Sequence, residues 1–218
     1  MSLSNSKVTE REPLPEKDAV WTKLVRIKYQ DAHGQPRTWE SAERTTRPQG
    51  SDIDGVGIVA ILEKPTGPEI ILQKQFRPPV EKVTIEVPAG LIDPSETAEE
   101  CAIRELKEET GYVGVPIATS PIMFNGKSIP PPFLNLPRNY PGFCNTNLRM
   151  VHLTVDMSLP ENQNPKPALE EDEFIEVFVV PLSKLWEECK RLEAEGCAID
   201  ARVGTLAEGV ELAKKFRL

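Results

Sequence analysis

The stretch Gly90–Tyr112, GLIDPSETAEECAIRELKEETGY, decides how this chain is read. It crowds Glu96, Glu99, Glu100, Glu105, Glu108 and Glu109 against Arg104 and Lys107. Thr97-Ala98-Glu99-Glu100 matches a capping box, in which the threonine hydroxyl and the glutamate carboxylate each satisfy a backbone N–H at a helix start. Gly111 stands where a helix ends in a left-handed residue, and good helix formers without proline lie between. At about 100° per residue, Glu105, Glu108 and Glu109 share one helix face, with Glu105 and Glu109 one turn apart. Ile103 and Leu106 point elsewhere, toward a core. Acid faces are usually solvated, but this one repels itself unless a cation sits in it. Mg²⁺ suits such a site, because it binds a few carboxylate oxygens together with its substrate's phosphates.

The full pattern, Gly90-x5-Glu96-x7-Arg104-Glu105-Leu106-x-Glu108-Glu109-x-Gly111, resembles the signature box of the Nudix hydrolases, which cleave a nucleoside diphosphate linked to another moiety. Tyr112 takes a slot that is usually aliphatic, and its ring can fill it. The resemblance implies that Glu105, Glu108 and Glu109 hold Mg²⁺, with Mn²⁺ as the alternative. It implies that Arg104 orients a glutamate by a salt bridge and that Glu96 assists from the loop side. Gly90 would let the loop turn and its backbone approach the metal.

Working outward, the 218 residues are 39% hydrophobic and 28% charged, with net charge −8 and pI ≈ 5.0. That balance argues against a nucleic-acid-binding face, and an anionic substrate needs local cations to offset the field. The longest apolar run, Val56–Leu62, is far short of a membrane span, and polar Met1–Ala19 lacks a signal peptide's apolar core. Cys101, Cys144, Cys189 and Cys197 form no CxxC pair, so the chain reads as reduced and intracellular. The expected compartment is cytoplasmic, with nucleus or mitochondrion open, and not secreted. His33 and His152 read as a turn and a strand histidine; no zinc site or Ser-His-Asp arrangement can be built from them.

Val20–Tyr29 and Arg37–Arg44 read as strands around the turn Asp31–Gly34, a hairpin too polar for a core of its own. Asp54–Glu63, Glu69–Phe76, Val83–Val87, Leu148–Asp156 and Phe174–Val180 read as further strands. Leu182, Leu185, Trp186, Cys189 and Leu192 recur at helical spacing, as do Val203, Leu206, Ala207 and Val210. Helical stripes need a sheet to cover. The expected fold is therefore α/β (α+β), an α/β/α sandwich around a mixed sheet, which the Nudix resemblance also implies. The expected organisation is a flexible N-terminus at 1–19, a hairpin and dimerisation unit at 20–48 and a hydrolase domain at 49–218.

Other segments narrow the class. Arg37-Thr-Trp39-Glu40-Ser-Ala-Glu-Arg44, Gln75-Phe-Arg77-Pro-Pro, Glu86-Val-Pro-Ala89-Gly90-Leu-Ile-Asp93 and Asp200-Ala-Arg202 keep the order seen in the ADP-ribose (ADP-sugar) pyrophosphatases, which the chain resembles from about Trp21 onward. The resemblance implies that Trp21 and Trp39 sandwich adenine, where aromatic faces offer rigid contact area. Glu40 would accept from the adenine amino group. Arg44 and Arg77 would hold the diphosphate, since a guanidinium fork fits phosphate oxygens, and Ala89 would give its carbonyl to a metal. Within Glu170-Glu171-Asp172-Glu173 it implies Glu173 as the general base that deprotonates or orients water. One departure is the connection between Met123 and Cys144, with Pro130, Pro131 and Pro132 in a stiff, polyproline-like segment. The expected reaction is Mg²⁺-dependent hydrolysis of ADP-ribose to AMP and ribose 5-phosphate by a homodimer, without nucleic-acid or membrane partners. Another nucleoside-diphosphate sugar, an oxidised nucleotide, or a non-catalytic ADP-ribose-binding regulator are the other readings.

Overall fold

The hairpin forms from β1 (Thr22–Gln30) and β2 (Pro36–Arg44), antiparallel, with Ile27 opposite Trp39. This is a computed structural model, and it describes residues 3–124 and 143–217. Asp31 closes the turn by accepting the His33 and Gln35 amides, and Gly34 takes φ 74°. The hairpin is a sheet by itself. It is tied to the remainder where Ala42 N donates to Phe143 O and Asn145 N donates to Ala42 O. Beyond it, Arg47 forks onto buried Asp54 through Nε and Nη2, at 2.9 and 2.7 Å. That bidentate pair fixes where the chain enters the main sheet.

The main sheet follows from apolar segments whose central members are buried on both faces. Its strands are β3 (Gly55–Lys64), β4 (Gly67–Arg77), β5 (Lys82–Glu86) and β6 (Ala89–Leu91). After helix α1 (Ala98–Thr110) come β7 (Val115–Thr119), β8 (Met123–Phe124) and β9 (Asn147–Val155). The short α2 (Pro160–Gln163), β10 (Ile175–Pro181), α3 (Leu185–Ala194), β11 (Ala198–Ile199) and α4 (Ala201–Phe216) complete the described chain. The sheet is mixed, ordered β11-β5-β4-β3-β9-β7, with β10 on β4, β6 on β3 and β8 on β9. β3 with β9 and β5 with β11 are the parallel pairs.

Alternation along β3 divides the core. Val56, Ile58, Ala60 and Leu62 face α1 with Cys101, Ala102 and Leu106, whereas Val59 faces α3 and α4 with Leu185, Leu192, Val203 and Ala207. Ile103 and Tyr112 pack at the edge of the first cluster, as their positions in the box required, and Trp186 lies at the edge of the second. The fold is thus the expected α/β/α arrangement.

One topological detail builds the site. β3 pairs through Gly55–Gly57 with β6 and only later, from Ile61, with β4. β4 in turn leaves β3 and pairs through Gln73–Arg77 with β5. The two central strands part, and Ile58 N donates to Pro88 O at 2.8 Å inside the fork. Ala89 and Gly90 are held there by pairing with Gly57 and Val56 of β3.

The strands β6, β7, β8 and β11 and the one-turn α2 carry too few residues to show a period. The proline-rich connection lies outside the described residues up to Gly142. At the N-terminus Leu3 is buried, and Arg11 pairs with Glu81. Among the described residues no helix is long and apolar enough to cross a membrane.

Candidate active site

The box folds as its residue types dictate. Thr97 Oγ1 accepts from Glu100 N at 3.2 Å, and the Glu100 carboxylate accepts from Thr97 N at 2.9 Å. Gly111, at φ 77°, stops α1, and a Cβ there would lie 2.3 Å from Lys166 N. Capping at both ends fixes which face of α1 meets the fork.

That face carries the carboxylates. Arg104 is their common partner: Nε and Nη2 donate to Glu96 at 2.9 Å each, and Nη1 donates to Glu105 Oε1 at 2.8 Å and Glu108 Oε2 at 3.2 Å. Nη2 also reaches Leu91 O at 3.1 Å. Glu96 Oε2 accepts the Asp93 amide as well, so both Glu96 oxygens are engaged. Arg104 accordingly holds the Glu96 carboxyl below the usual range. Glu105 lies against Gly90 so closely that a Cβ there would sit 1.9 Å from its carboxylate carbon. Gly90 has no positive φ; the glycine is needed for this close approach and not for a left-handed turn.

Glu109 is 4% exposed. Its Oε2 accepts the Ala89 amide at 2.9 Å, and its Oε1 accepts Gln73 Nε2 at 3.3 Å. Those two bonds do not offset the loss of water: burial pushes the Glu109 carboxyl up to about 8, and Glu105 and Glu173 add repulsion. Burial likewise raises Glu105, against the pull of Arg104. Glu173 feels the same crowd because its loop docks along α1, where Ala168 N donates to Glu108 O at 2.8 Å. Glu173 Oε2 itself accepts Glu170 N at 3.1 Å.

Among the described residues, no three Asp, Glu, His or Cys side chains converge as they stand into a cation cage. Arg104 takes one oxygen each from Glu105 and Glu108. The donor chemistry nevertheless fits a hard divalent ion. Glu109 is a buried carboxylate without an ion pair, Glu105 is largely covered and paired with Arg104, Glu108 is half exposed beside them, and Ala89 is held at their edge. Gln73 Oε1, buried beside Glu109, is the one buried side-chain oxygen without a partner among the described residues.

Adjacent to Ala89 and Gly90 lies a cavity of about 270 Å³, lined also by Arg44, Arg77 and Arg202. Arg77 is set by a bidentate bond to buried Glu86, Nε to Oε1 at 2.7 Å and Nη2 to Oε2 at 2.8 Å. Burial opposes the Glu86 charge, but Arg77 and the Thr84 hydroxyl outweigh it and keep that carboxyl low.

The aromatic residues are not brought together within one chain. Trp21 O accepts from Thr45 N, so Trp21 sits across from Thr45, six residues along from Trp39. At ~3.4 Å per residue the two backbone positions are roughly 20 Å apart. Trp39 packs edge-on to Tyr29, centroids 6.2 Å apart. Its neighbour Glu40 points to the other face of the hairpin, 3.6 Å from Arg26. Two participants escaped the sequence reading. Gln73 was only a polar residue in a strand. Arg202 was visible in Asp200-Ala-Arg202 without a role.

A NUDIX domain model matches residues 53–198. The chain belongs to the Nudix hydrolase family. It is 48% identical over 217 residues to a protein of Saccharomyces cerevisiae named ADP-ribose pyrophosphatase, covering 98% of this chain and 87% of that one. It is 35% identical over 198 residues to the Mus musculus protein named ADP-sugar pyrophosphatase, covering 90% and 83%. Among solved structures, one described as an ADP compounds hydrolase superposes with TM-score 0.53 at 19% identity, over 96% of this chain and 91% of that one, and so bears on the fold alone. Nudix hydrolases generally need a divalent metal.

Glu109→Gln should abolish most turnover while leaving the metal-free protein more stable at pH 8. A carboxyl raised by folding favours the native state below its unfolded value near 4.5, and that contribution is lost as pH rises toward about 8. The parent's metal-free thermal midpoint should therefore fall across that window, and the variant's should fall less. Near-normal turnover at limiting Mg²⁺, or identical pH slopes, would contradict the assignment.

Proposed function

We propose that this protein hydrolyses the diphosphate bond of ADP-ribose to AMP and ribose 5-phosphate with Mg²⁺. The observation that carries the reading is the meeting, at Ala89–Gly90, of a cation-seeking acid face with an arginine-lined cavity. The first calls for a divalent metal, the second for a small, doubly charged anion. Relatives named for ADP-ribose and ADP-sugars support that choice of substrate.

In this reading Glu105, Glu108, Glu109 and the Ala89 carbonyl hold Mg²⁺, and Glu96 acts through Arg104 to position them. The metal supplies positive charge that offsets the diphosphate and eases deprotonation of water. Arg44 and Arg77 fix the diphosphate, Arg77 with its fork already aligned by Glu86. Glu173 accepts the proton of the attacking water. One P–O bond of the bridge breaks as the water oxygen bonds to phosphorus, and the leaving phosphate takes the electron pair. A nucleotide-sugar panel with Mg²⁺ and product identification tests the whole reading. AMP and ribose 5-phosphate from ADP-ribose, faster than products from guanosine sugars or oxidised nucleotides, is the expected result. No turnover of any ADP-sugar would sink it.

Glu173→Gln should lower kcat by ~10²–10⁴-fold, the usual weight of a general base, with little change in substrate binding. Glu170→Gln and Glu171→Gln should have small effects. If all three behave alike, the base lies elsewhere.

The same reading makes the protein a homodimer. Leu24, Ile27, Trp21 and Phe143 are exposed on the hairpin and the segment tied to it. The separation of Trp21 from Trp39 means that a sandwich of one adenine needs a tryptophan from each of two chains. Sedimentation at micromolar concentration should give a dimer, and deletion of residues 1–48 should abolish activity; an active monomer would contradict both.

A further inference from the structure

We propose that Arg202 is a third diphosphate-binding residue of this site, held over β3 by Glu86 and Asp200, which act as positioning residues. The proposal rests on the diphosphatase reading above and extends it to a side chain at the start of the last helix.

Arg202 is the second residue of α4. A cation in the first turn of a helix faces the positive end of the helix dipole, which disfavours it. Stability of α4 alone gives no reason for arginine there. The fold nevertheless spends two carboxylates on holding it. Asp200 Oδ1 accepts Arg202 Nε at 2.7 Å, and Asp200 Oδ2 accepts Nη2 at 3.1 Å. Glu86 Oε2, already bonded to Arg77, lies 3.8 Å from Arg202 Nη2. One buried carboxylate therefore sets two guanidinium groups side by side.

The remaining nitrogen points where substrate is expected. Nη1 of Arg202 has no acceptor among the described residues. It lies 3.4 Å from where a Cβ on Gly57 would stand, and that Cβ would be 2.7 Å from Met150 Sδ. Gly57 is the register partner of Ala89. Nη1 thus lies over β3 at the position paired with Ala89, whose carbonyl is assigned to the metal, while the close packing of Met150 is what requires glycine at 57.

Charge balance agrees. Arg44, Arg77 and Arg202 line one cavity of about 270 Å³, and Arg47 stands behind Asp54. Glu86, Asp200 and Asp54 pair with Arg77, Arg202 and Arg47, and Arg44 makes no ion pair among the described residues. In a chain of net charge −8, three guanidinium groups gathered on one cavity match an anionic ligand, and a planar fork matches phosphate oxygens. A purely structural Arg202–Asp200 pair does not require an Nη1 without an acceptor among the described residues on the wall of the cavity.

The test compares the full-length parent with Arg202→Ala, Arg202→Gln and Glu86→Gln. Arg191→Ala, an exposed ion-paired arginine on α3, is the control. The readouts are kcat and KM on ADP-ribose with Mg²⁺, thermal midpoint, and calorimetric binding of ADP-ribose and of adenosine to the metal-free proteins. Arg202→Ala and Arg202→Gln should raise KM and weaken ADP-ribose binding about 10–100-fold, the weight of a charge-assisted hydrogen bond, while adenosine binding stays at the parental value. Glu86→Gln should do the same by misaligning Arg77 and Arg202 together, and Arg191→Ala should match the parent. Asp200 still caps α4 through the backbone N of residue 202, so the helix should survive; if Arg202→Ala is unfolded, Arg202→Gln decides. Parental KM in the folded Arg202 variants overturns the proposal, and so does parallel weakening of ADP-ribose and adenosine. A parent that turns over no ADP-sugar overturns the functional reading instead, so the two failures are separable.

Discussion

Arg104 is the cation about which the acidic face of α1 is organised. Its guanidinium touches Glu96, Glu105 and Glu108 and lies 3.9 Å from Asp93. With Lys107 turned to solvent, no other cation of the box serves them. The arrangement is stable enough to fold but not neutral. Glu105 is pressed against Gly90, Glu109 is buried under Ala89, and burial raises both carboxyls. Such groups are costly unless paired, and a divalent ion is the partner that would settle the excess. The strain in charge is local because the surrounding frame is rigid: two helix caps, a parted pair of strands, and glycines at 55 and 90 that let backbone and carboxylate meet. A Cβ on Gly55 would lie 2.2 Å from Gly90 O.

The opposite charge excess lies only a strand away. Arg77 and Arg202 share Glu86, and Arg44 arrives from the end of the hairpin. β6 runs between the two excesses, three residues long and paired to β3. In the proposed reading a substrate with two phosphates spans them, at the place where β3 and β4 part.

Much of this was legible before any coordinates. Thr97, Glu100 and Gly111 announced both ends of α1 because caps are local chemistry, and the apolar run Val56–Leu62 marked a strand because a strand buried on both faces is apolar throughout. What stayed hidden depends on distant pairing. Ala89–Leu91 is too short to read as a strand and becomes one only against Gly55–Gly57. Gln73 looks like an interruption in an apolar run until α1 brings Glu109 to it. Arg202 meets Glu86 only because β11 joins β5 and delivers the start of α4 to it. The distance between Trp21 and Trp39 was implicit in the turn at Asp31–Gly34, since that turn sets Trp21 opposite Thr45 and Ile27 opposite Trp39. Only the register makes it explicit.

In the proposed reading buried Glu109, its carboxyl raised to about 8, gives up a proton when the metal binds. Calorimetric titration of Mg²⁺ into the protein, in buffers of differing ionisation enthalpy, counts the protons released on binding. With the Glu109 carboxyl at about 8, binding at pH 7 should release protons, the release should fade well above pH 8, and Glu109→Gln should remove it. Binding at pH 7 that releases no proton, or releases the same number in Glu109→Gln, would contradict the account.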